Sequence, residues 1–359
     1  MVVLQLGPYP PPHGGVQTNL VAIRDHLHRH HARSPVLNLT RHRGATDDDV
    51  YHPRSAREVV KLLLTIDADI IHLHIGGRFT ARLLALCLLC SMLPRRRTVL
   101  TLHSGGYPSF AGTRGAGRFS VPGLVLRRMD AVIAVNAEIA ALFRRFGVDP
   151  SRIEIICPYA PVSVREDAVL PEELRAFRAA HTPLLTTVGL LEPEYDLPLQ
   201  ITALQEIRRR YPDAGLVIIG SGSLEPDLRQ LIASDPAGAH VLLCGDVPHP
   251  LTVRLLSETD VFLRTTLYDG DSVSVREALQ LGVPVIASDN GMRPAGIHLI
   301  PRSDRTALVQ MIDDVFRTRP ADRRLAATTD EHLDQVLALY SRVLGRSIGV
   351  ADPRIGSVS

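Results

Sequence analysis

Chemistry-bearing residues are densest at Tyr268–Leu279, YDGDSVSVREAL, between two apolar runs, DVFLRTT and LGVPVIASD. Asp269, Asp271 and Glu277 could serve structure or a ligand. Ser274 and Glu277 have the S-x-x-E spacing of a capping box, in which the serine side chain accepts from a helical N–H and the glutamate reaches back. Asp269-Gly270-Asp271 suits a turn. The same residues stand where a strand gives way to a helix. Backbone N–H groups at that helix start could hold a phosphate, and the acids could accept hydrogen bonds from hydroxyls. Asp269 and Asp271 could also share a divalent cation. Residue chemistry alone leaves these readings open.

Other strand ends carry weaker signals. The first strand runs into GPYPPPHGGVQTNL, whose prolines supply no N–H donors, while Gly14 and Gly15 open a helix and allow a ligand close to the backbone. No G-x-G-x-x-G follows this strand, which argues against a nicotinamide oxidoreductase. In TLHSGGYP, His103 sits where a strand meets a glycine loop and could hydrogen-bond a ligand or be a satisfied structural histidine. His72 and His74, in IIHLHIGG, alternate onto one sheet face and read as structural. The turn in VIIGSGSLEPDL, with Gly220, could bind an anion through its N–H groups.

These residues need elements to position them. The chain has 359 residues, 45% hydrophobic and 22% charged, which suits two globular domains. A formal net charge of +2 and few aromatics exclude a nucleic-acid footprint. Lys61 is the only lysine, so a Gly-Lys-Ser/Thr phosphate loop is absent. Cys87 and Cys90 fall inside the apolar helical run RLLALCLLCSML with no further zinc ligands nearby, and read as buried thiols in a reducing compartment. The N-terminus, MVVLQLGPYPPP, lacks the pattern of a signal peptide. The stretch 83–93, followed by Arg95, Arg96 and Arg97, reads as a core helix with arginines at its end, ahead of a peripheral membrane contact.

Short apolar runs alternate with amphipathic helices twice, separated by a proline-punctuated segment. The pattern predicts two α/β domains with parallel sheets: residues 1–158, a linker at 159–182, a second domain at 183–325, a last helix at 326–345 and a tail at 346–359. Ligands of such sheets lie beyond the C-terminal strand ends, here in a cleft between the domains.

The segment DGDSVSVREALQLGVPVIASDNG, with PPHGG and TLHSGG, resembles the retaining glycosyltransferases of family four (glycosyl transferases group 1). The resemblance covers nearly the whole chain. It implies the GT-B fold, two facing Rossmann-like domains. Asp269 matches the family's first acid, which contacts donor sugar hydroxyls, and Glu277 its second, which holds the nucleotide ribose. Ser272, Val273 and Ser274 would face sugar and phosphate through their backbone. His103 would lie near the transferred sugar. Gly14 and Gly15 would lie near the donor phosphates, and Gly189 and Gly220 also belong to the expected donor site.

The family also carries an Arg and a Lys that clamp the diphosphate. Here the segment is VGLLEPEYDLP, with Leu190 and Tyr195 at those positions. Neither replaces a cation. Arg264, in FLRTT, and Arg293, in DNGMRP, are the candidates to take over that role; each could instead pair with Asp269 or Asp289. The resemblance implies sugar transfer from a nucleotide-sugar donor to an acceptor hydroxyl in surface-glycan synthesis. It implies no metal or other cofactor, and a glycan, lipid-linked or small-molecule acceptor. The location would be cytoplasmic, with the inner membrane face as a peripheral variant. The lost cations motivate an alternative, a non-catalytic subunit supporting a partner enzyme.

Overall fold

A computed structural model of the chain describes residues 1–11, 14–40, 48–104, 107, 116–158, 162–269, 271–318 and 330–346. Gly270, the start of the expected linker at 159–161, residues 326–329 of the expected last helix, and the expected tail apart from Arg346 lie outside them. The chain forms two compact units. The first comprises Met1–Pro11, Val16–Ala160 and Asp330–Ser359, and the second Pro12–Gly15 and Pro161–Thr329.

In the first unit, β1 (Val3–Gly7), β2 (Val36–Asn38), β3 (Val50–Tyr51), β4 (Ile70–Ile75), β5 (Arg97–Leu102), β6 (Ala131–Ala134) and β7 (Ile153–Ile155) form a parallel sheet in the order β3-β2-β1-β4-β5-β6-β7. The central strands are apolar runs because both faces are covered. Leu4, Leu6, Ile71, Leu73, Leu100 and Leu102 pack with α2 (Ala56–Thr65), α3 (Ala81–Met92), α4 (Val121–Leu126) and α5 (Ala137–Arg145). Val3, Ile70, Val99 and Ile133 pack with α1 (Gly15–Arg29) and the last helix, α12 (Glu331–Leu344). Side-chain oxygens of Ser55, Thr80, Ser120 and Asn136 cap α2 to α5 in turn. Cys87 and Cys90 are buried, and desolvation pushes both thiols up to about 12.

The second unit repeats the topology. β8 (Leu184–Val188), β9 (Gly215–Ile219), β10 (Val241–Leu243), β11 (Val261–Arg264), β12 (Val285–Ser288) and β13 (His298–Ile300) form a parallel sheet in the order β10-β9-β8-β11-β12-β13. Its faces are covered by α7 (Leu197–Arg210), α8 (Glu225–Ser234) and α11 (Arg305–Thr318) on one side. On the other side lie α6 (Glu172–Ala180), α9 (His249–Glu258) and α10 (Val273–Gln280). The segment expected to be a linker holds α6. Pro171 is its N-cap, and Leu170 and Leu174 are buried against Leu184 and Val217, so this stretch is part of the second core. The strand order reverses between β1 and β4 and again between β8 and β11. At such points the loops leave in opposite directions and open a ligand crevice at the C-terminal strand ends.

Candidate active site

Arg264 ends β11 beside the second of these switch points. Its side chain spans to β8, where Nη1 donates to the Val188 carbonyl at 2.7 Å. Nε and Nη2 reach Asp269 Oδ2 at 2.9 and 2.8 Å. The guanidinium carbon lies 4.7 Å from the centre of the Tyr195 ring, a cation–π contact. Arg293, after β12, also reaches Asp269 Oδ2, at 3.2 Å, and donates to Ser288 O at 3.0 Å and to Thr266 Oγ1 at 2.7 Å. Thr266 Oγ1 also donates to Asp269 Oδ2, at 3.3 Å.

Both arginine side chains are buried. Two guanidiniums face the Asp269 carboxylate, and Asp289 also acts on Arg293 as a nearby negative charge. Burial opposes the charge on Arg264, but Asp269 and Tyr195 together outweigh it and raise its pKa. Burial lowers Arg293 to about 10, with Asp269 pulling the other way and Arg264 adding to the fall, so it stays charged at neutral pH. Arg264 and Arg293 therefore do pair with Asp269, and the Arg264 guanidinium lies beside the position where Tyr195 replaces the expected lysine. Leu190 is 46% exposed and offers no polar group.

Two glycines let the backbones approach here. A Cβ on Gly189 would fall 2.1 Å from Tyr195 Cε1 and 3.0 Å from Arg264 Nη1. Gly220 has φ +138°, and its Cβ would lie 1.8 Å from Gly189 O, so only glycine fits.

Asp271 forms a two-bonded pair with Arg276, Nε and Nη2 reaching Oδ1 and Oδ2 at 2.7 Å each. The cap of α10 differs from the expected capping box. Ser272 is the N-cap, its Oγ accepting from Val275 N at 3.4 Å, and Ser274 lies inside the first turn with its Oγ 3.2 Å from that of Ser272. The N–H groups of Val273 and Ser274 consequently have no intrahelical acceptor. Glu277 does not turn back to the helix start. It is buried, and its Oε1 lies 2.7 Å from Nε2 of His249, the first residue of α9. Burial disfavours the charged His249 ring, but the hydrogen bond to Glu277 and its charge prevail and raise the pKa. Two more buried polar atoms nearby, Ser288 Oγ and Asn290 Nδ2, have no protein hydrogen-bond partner, a state that calls for water or a ligand.

In the first unit, His103 follows β5, and its backbone N–H continues the ladder to Ile75 O at 2.8 Å. Its Nε2 is 3.4 Å from His74 Nδ1 and the two rings stack, while His74 Nε2 meets Gln5 Oε1 at 2.7 Å. Burial lowers His103 to about 3, so the ring is neutral. Gly15 opens α1 and Gly14 directly precedes it. The structure thus gathers Gly189, Gly220, Arg264, Asp269 and Arg293 in one bonded or touching group of the second unit. Asp271, Ser272, Val273, Ser274 and Glu277 lie on the adjoining loop and helix. His249 and Asn290 were missed by sequence reasoning, and Tyr195 was read only as a lost lysine. A polar residue at the start of a helix that follows a strand end was the available signal for His249.

The profile of glycosyl transferases group 1 matches residues 172–330, and that of glycosyltransferase family 4 matches residues 13–160. Together they take in both units. The chain belongs to these glycosyltransferases. It is 26% identical to a GDP-mannose-dependent alpha-(1-6)-phosphatidylinositol monomannoside mannosyltransferase of Mycobacterium tuberculosis, over 96% of this chain and 92% of that protein. It is 30% identical to the amylovoran biosynthesis glycosyltransferase AmsK of Erwinia amylovora, over 44% of this chain and 42% of that one. The crystal structure of Anabaena HepE with UDP-glucose superposes with a TM-score of 0.69 at 16% identity, covering 96% of this chain and 98% of that one. The catalytic domain of starch synthase IV from Arabidopsis thaliana, bound to ADP and acarbose, gives 0.69 at 13% identity, with 96% and 100% covered. The glycosyltransferase therefore has the GT-B fold class, with two Rossmann-like parallel-sheet units. Among the described residues no helix is long and apolar enough to cross a membrane.

Proposed function

We propose that this glycosyltransferase moves a hexose from a nucleoside-diphosphate donor to an acceptor hydroxyl, with retained anomeric configuration and without a metal, in the assembly of a surface glycan. The observation that carries the reading is the buried Arg264–Asp269–Arg293 group with its two guanidiniums. When the bond from the anomeric carbon to the diphosphate breaks, the electron pair departs on phosphate oxygen. A fixed cation in a site shielded from water lowers that barrier. Arg264 and Arg293 fill this role, and the N–H groups of Val273 and Ser274 add a helix N-terminus. Asp269, oriented by both arginines, receives sugar hydroxyls, and Glu277, steadied by His249, receives the ribose. Gly189 and Gly220 bring backbone close to the phosphates. Gly14, Gly15 and His103 serve the donor and the sugar from the first half of the sequence. Relatives named for GDP-mannose and solved with UDP-glucose support a hexose donor, and with the ADP-bound starch synthase leave three bases to distinguish.

The test is a thermal-shift series with UDP, GDP, dTDP, ADP and CMP, with and without magnesium. A rise with one nucleotide, unchanged by magnesium, is expected, because a ligand that binds only the folded state raises apparent stability. No rise at millimolar nucleotide would sink the reading, and a magnesium requirement would overturn its metal-free part.

A lipid-linked acceptor and a peripheral membrane contact belong to the same proposal. Met92, Phe119, Val121 and Leu124 are exposed around α3 and α4, and the exposed Arg95 follows α3 in the sequence. Large exposed apolar groups beside basic ones suit an anionic bilayer. Flotation with anionic but not neutral vesicles, abolished in Phe119→Ser/Leu124→Ser, is the expected outcome; equal recovery without lipid would remove this part.

A further inference from the structure

A second cluster lies in the first unit, on residues the transfer chemistry does not use. His26 and His30 stand one helical turn apart at the end of α1, with ring centroids 4.6 Å apart and edge to face. Asp334, in the first turn of α12, places Oδ1 3.0 Å from His26 Nε2. One ligand atom from each of the three lies within 4.8 Å of the others. His26 is buried, His30 half-buried and Asp334 exposed, so the cluster has a wall behind it and an open approach. Behind it, Asp330 Oδ2 lies 3.7 Å from His26 Nδ1.

We propose that His26, His30 and Asp334 bind one zinc ion that clamps α12 onto α1. His26, in the last turn of α1, and His30, in the turn that directly follows and still donates its N–H to His26 O, present both rings to a single ion. Two imidazoles with one carboxylate, and water in the fourth position, are a zinc donor set. Asp330 is the outer carboxylate that accepts from the far nitrogen of a metal-bound histidine and fixes its ring. Without metal, Arg29 Nη2 donates to His26 Nδ1 at 3.0 Å and Arg29 Nη1 pairs with Asp330 at 3.3 Å. The ring proton is then on Nε2, facing Asp334. Zinc takes Nε2, the proton moves to Nδ1 and turns to Asp330, and the net proton count is unchanged. Arg29, 59% exposed, swings outward. The accessible His30 and Asp334 side chains close on the ion by rotation.

The experiment uses the full chain stripped of metal with a chelator. Zinc is titrated by calorimetry, and cobalt(II) is followed by its visible absorption. One equivalent of zinc, the intense bands of four-coordinate cobalt, and a raised melting temperature are expected. His26→Ala removes a buried ring and could unfold the helix pair, so the deciding variants are Asp334→Asn and His30→Ala. Each should weaken zinc by about tenfold or more, while His28→Ala, on the exposed side of the same helix, leaves it unchanged. Undiminished binding in Asp334→Asn, loss in His28→Ala instead, or no stoichiometric binding overturns the proposal.

Discussion

Glu277 Oε1 and His249 Nε2 stand 2.7 Å apart, joining the second turn of α10 to the first residue of α9. The carboxylate is held by another helix, not spent on capping its own. This pairing sets a pH dependence. Burial works against protonated His249, yet Glu277 lifts its pKa above the ordinary 6.5. A raised histidine adds stability in full below 6.5 and loses it as pH climbs through the folded-state value. His72 and His103 have the opposite sign. Burial lowers both to about 3, so the unfolded chain takes up protons first and stability falls as pH drops from 6.5 toward 3. His249→Gln should flatten the alkaline limb and leave the acid limb in place. Urea unfolding across about pH 4 to 9 reads both limbs; an unchanged alkaline limb would contradict the pairing.

Arg264 is committed three ways, to Asp269, to Val188 O and to the Tyr195 ring. Arg264→Ala leaves Asp269 buried with Arg293 as its remaining cation. We expect a stability loss of about 3 kcal/mol, as when one partner of a buried pair is removed. Turnover should fall by about 100-fold if the arginine also stabilises the leaving diphosphate. Arg264→Lys keeps the charge but cannot serve Asp269 with two donors and Val188 O at once, so it should fall between. Wild-type donor affinity and turnover in Arg264→Ala would end this assignment.

Restoring the lysine of the family pattern should not help. In Tyr195→Lys a new ammonium would enter where the ring now covers the Arg264 guanidinium, with the Cζ at 4.7 Å. The substitution exchanges an attraction for a like-charge contact. A loss of about 1 kcal/mol in stability, without a gain in turnover, is expected, whereas Tyr195→Phe should keep most of the contact. A rise in turnover for Tyr195→Lys would show that the missing cation limits the enzyme.

The sheets were readable because VLQLG, IIHLHI and RTVLTL are mostly apolar and buried on both faces, with the polar Gln5, His72, His74 and Thr101 hydrogen-bonded inside. VLN of β2, VY of β3 and HLI of β13 are too short to carry a pattern. In 159–182 the prolines masked α6, whose Leu174 is its one buried residue. The acid-rich loop and its helix stood out as a local string. What it pairs with did not: Arg293 lies 24 residues from Asp269, and His249 lies 28 residues from Glu277. The S-x-x-E spacing even pointed to the wrong cap: Ser272 caps the helix, and Glu277 pairs with His249 instead of turning back.

Tyr340 ties the last helix to the first sheet. Its hydroxyl lies 2.6 Å from His72 Nδ1, and His72 Nε2 lies 2.7 Å from Thr101 Oγ1, all of it buried. With Thr101 as the acceptor on one side, Tyr340 donates on the other and the neutral ring is satisfied at both nitrogens. Tyr340→Phe keeps the packing against the sheet but strands His72 Nδ1. The expected loss is about 1–3 kcal/mol, the penalty of a buried polar atom left unpaired. The loss should be accompanied by faster amide exchange along α12, because the helix loses its polar anchor while its apolar face, with Leu333, Val336 and Leu337, still packs. If unfolding midpoint and exchange in α12 both match wild type, the hydroxyl does not hold the helix, and apolar packing alone accounts for its position.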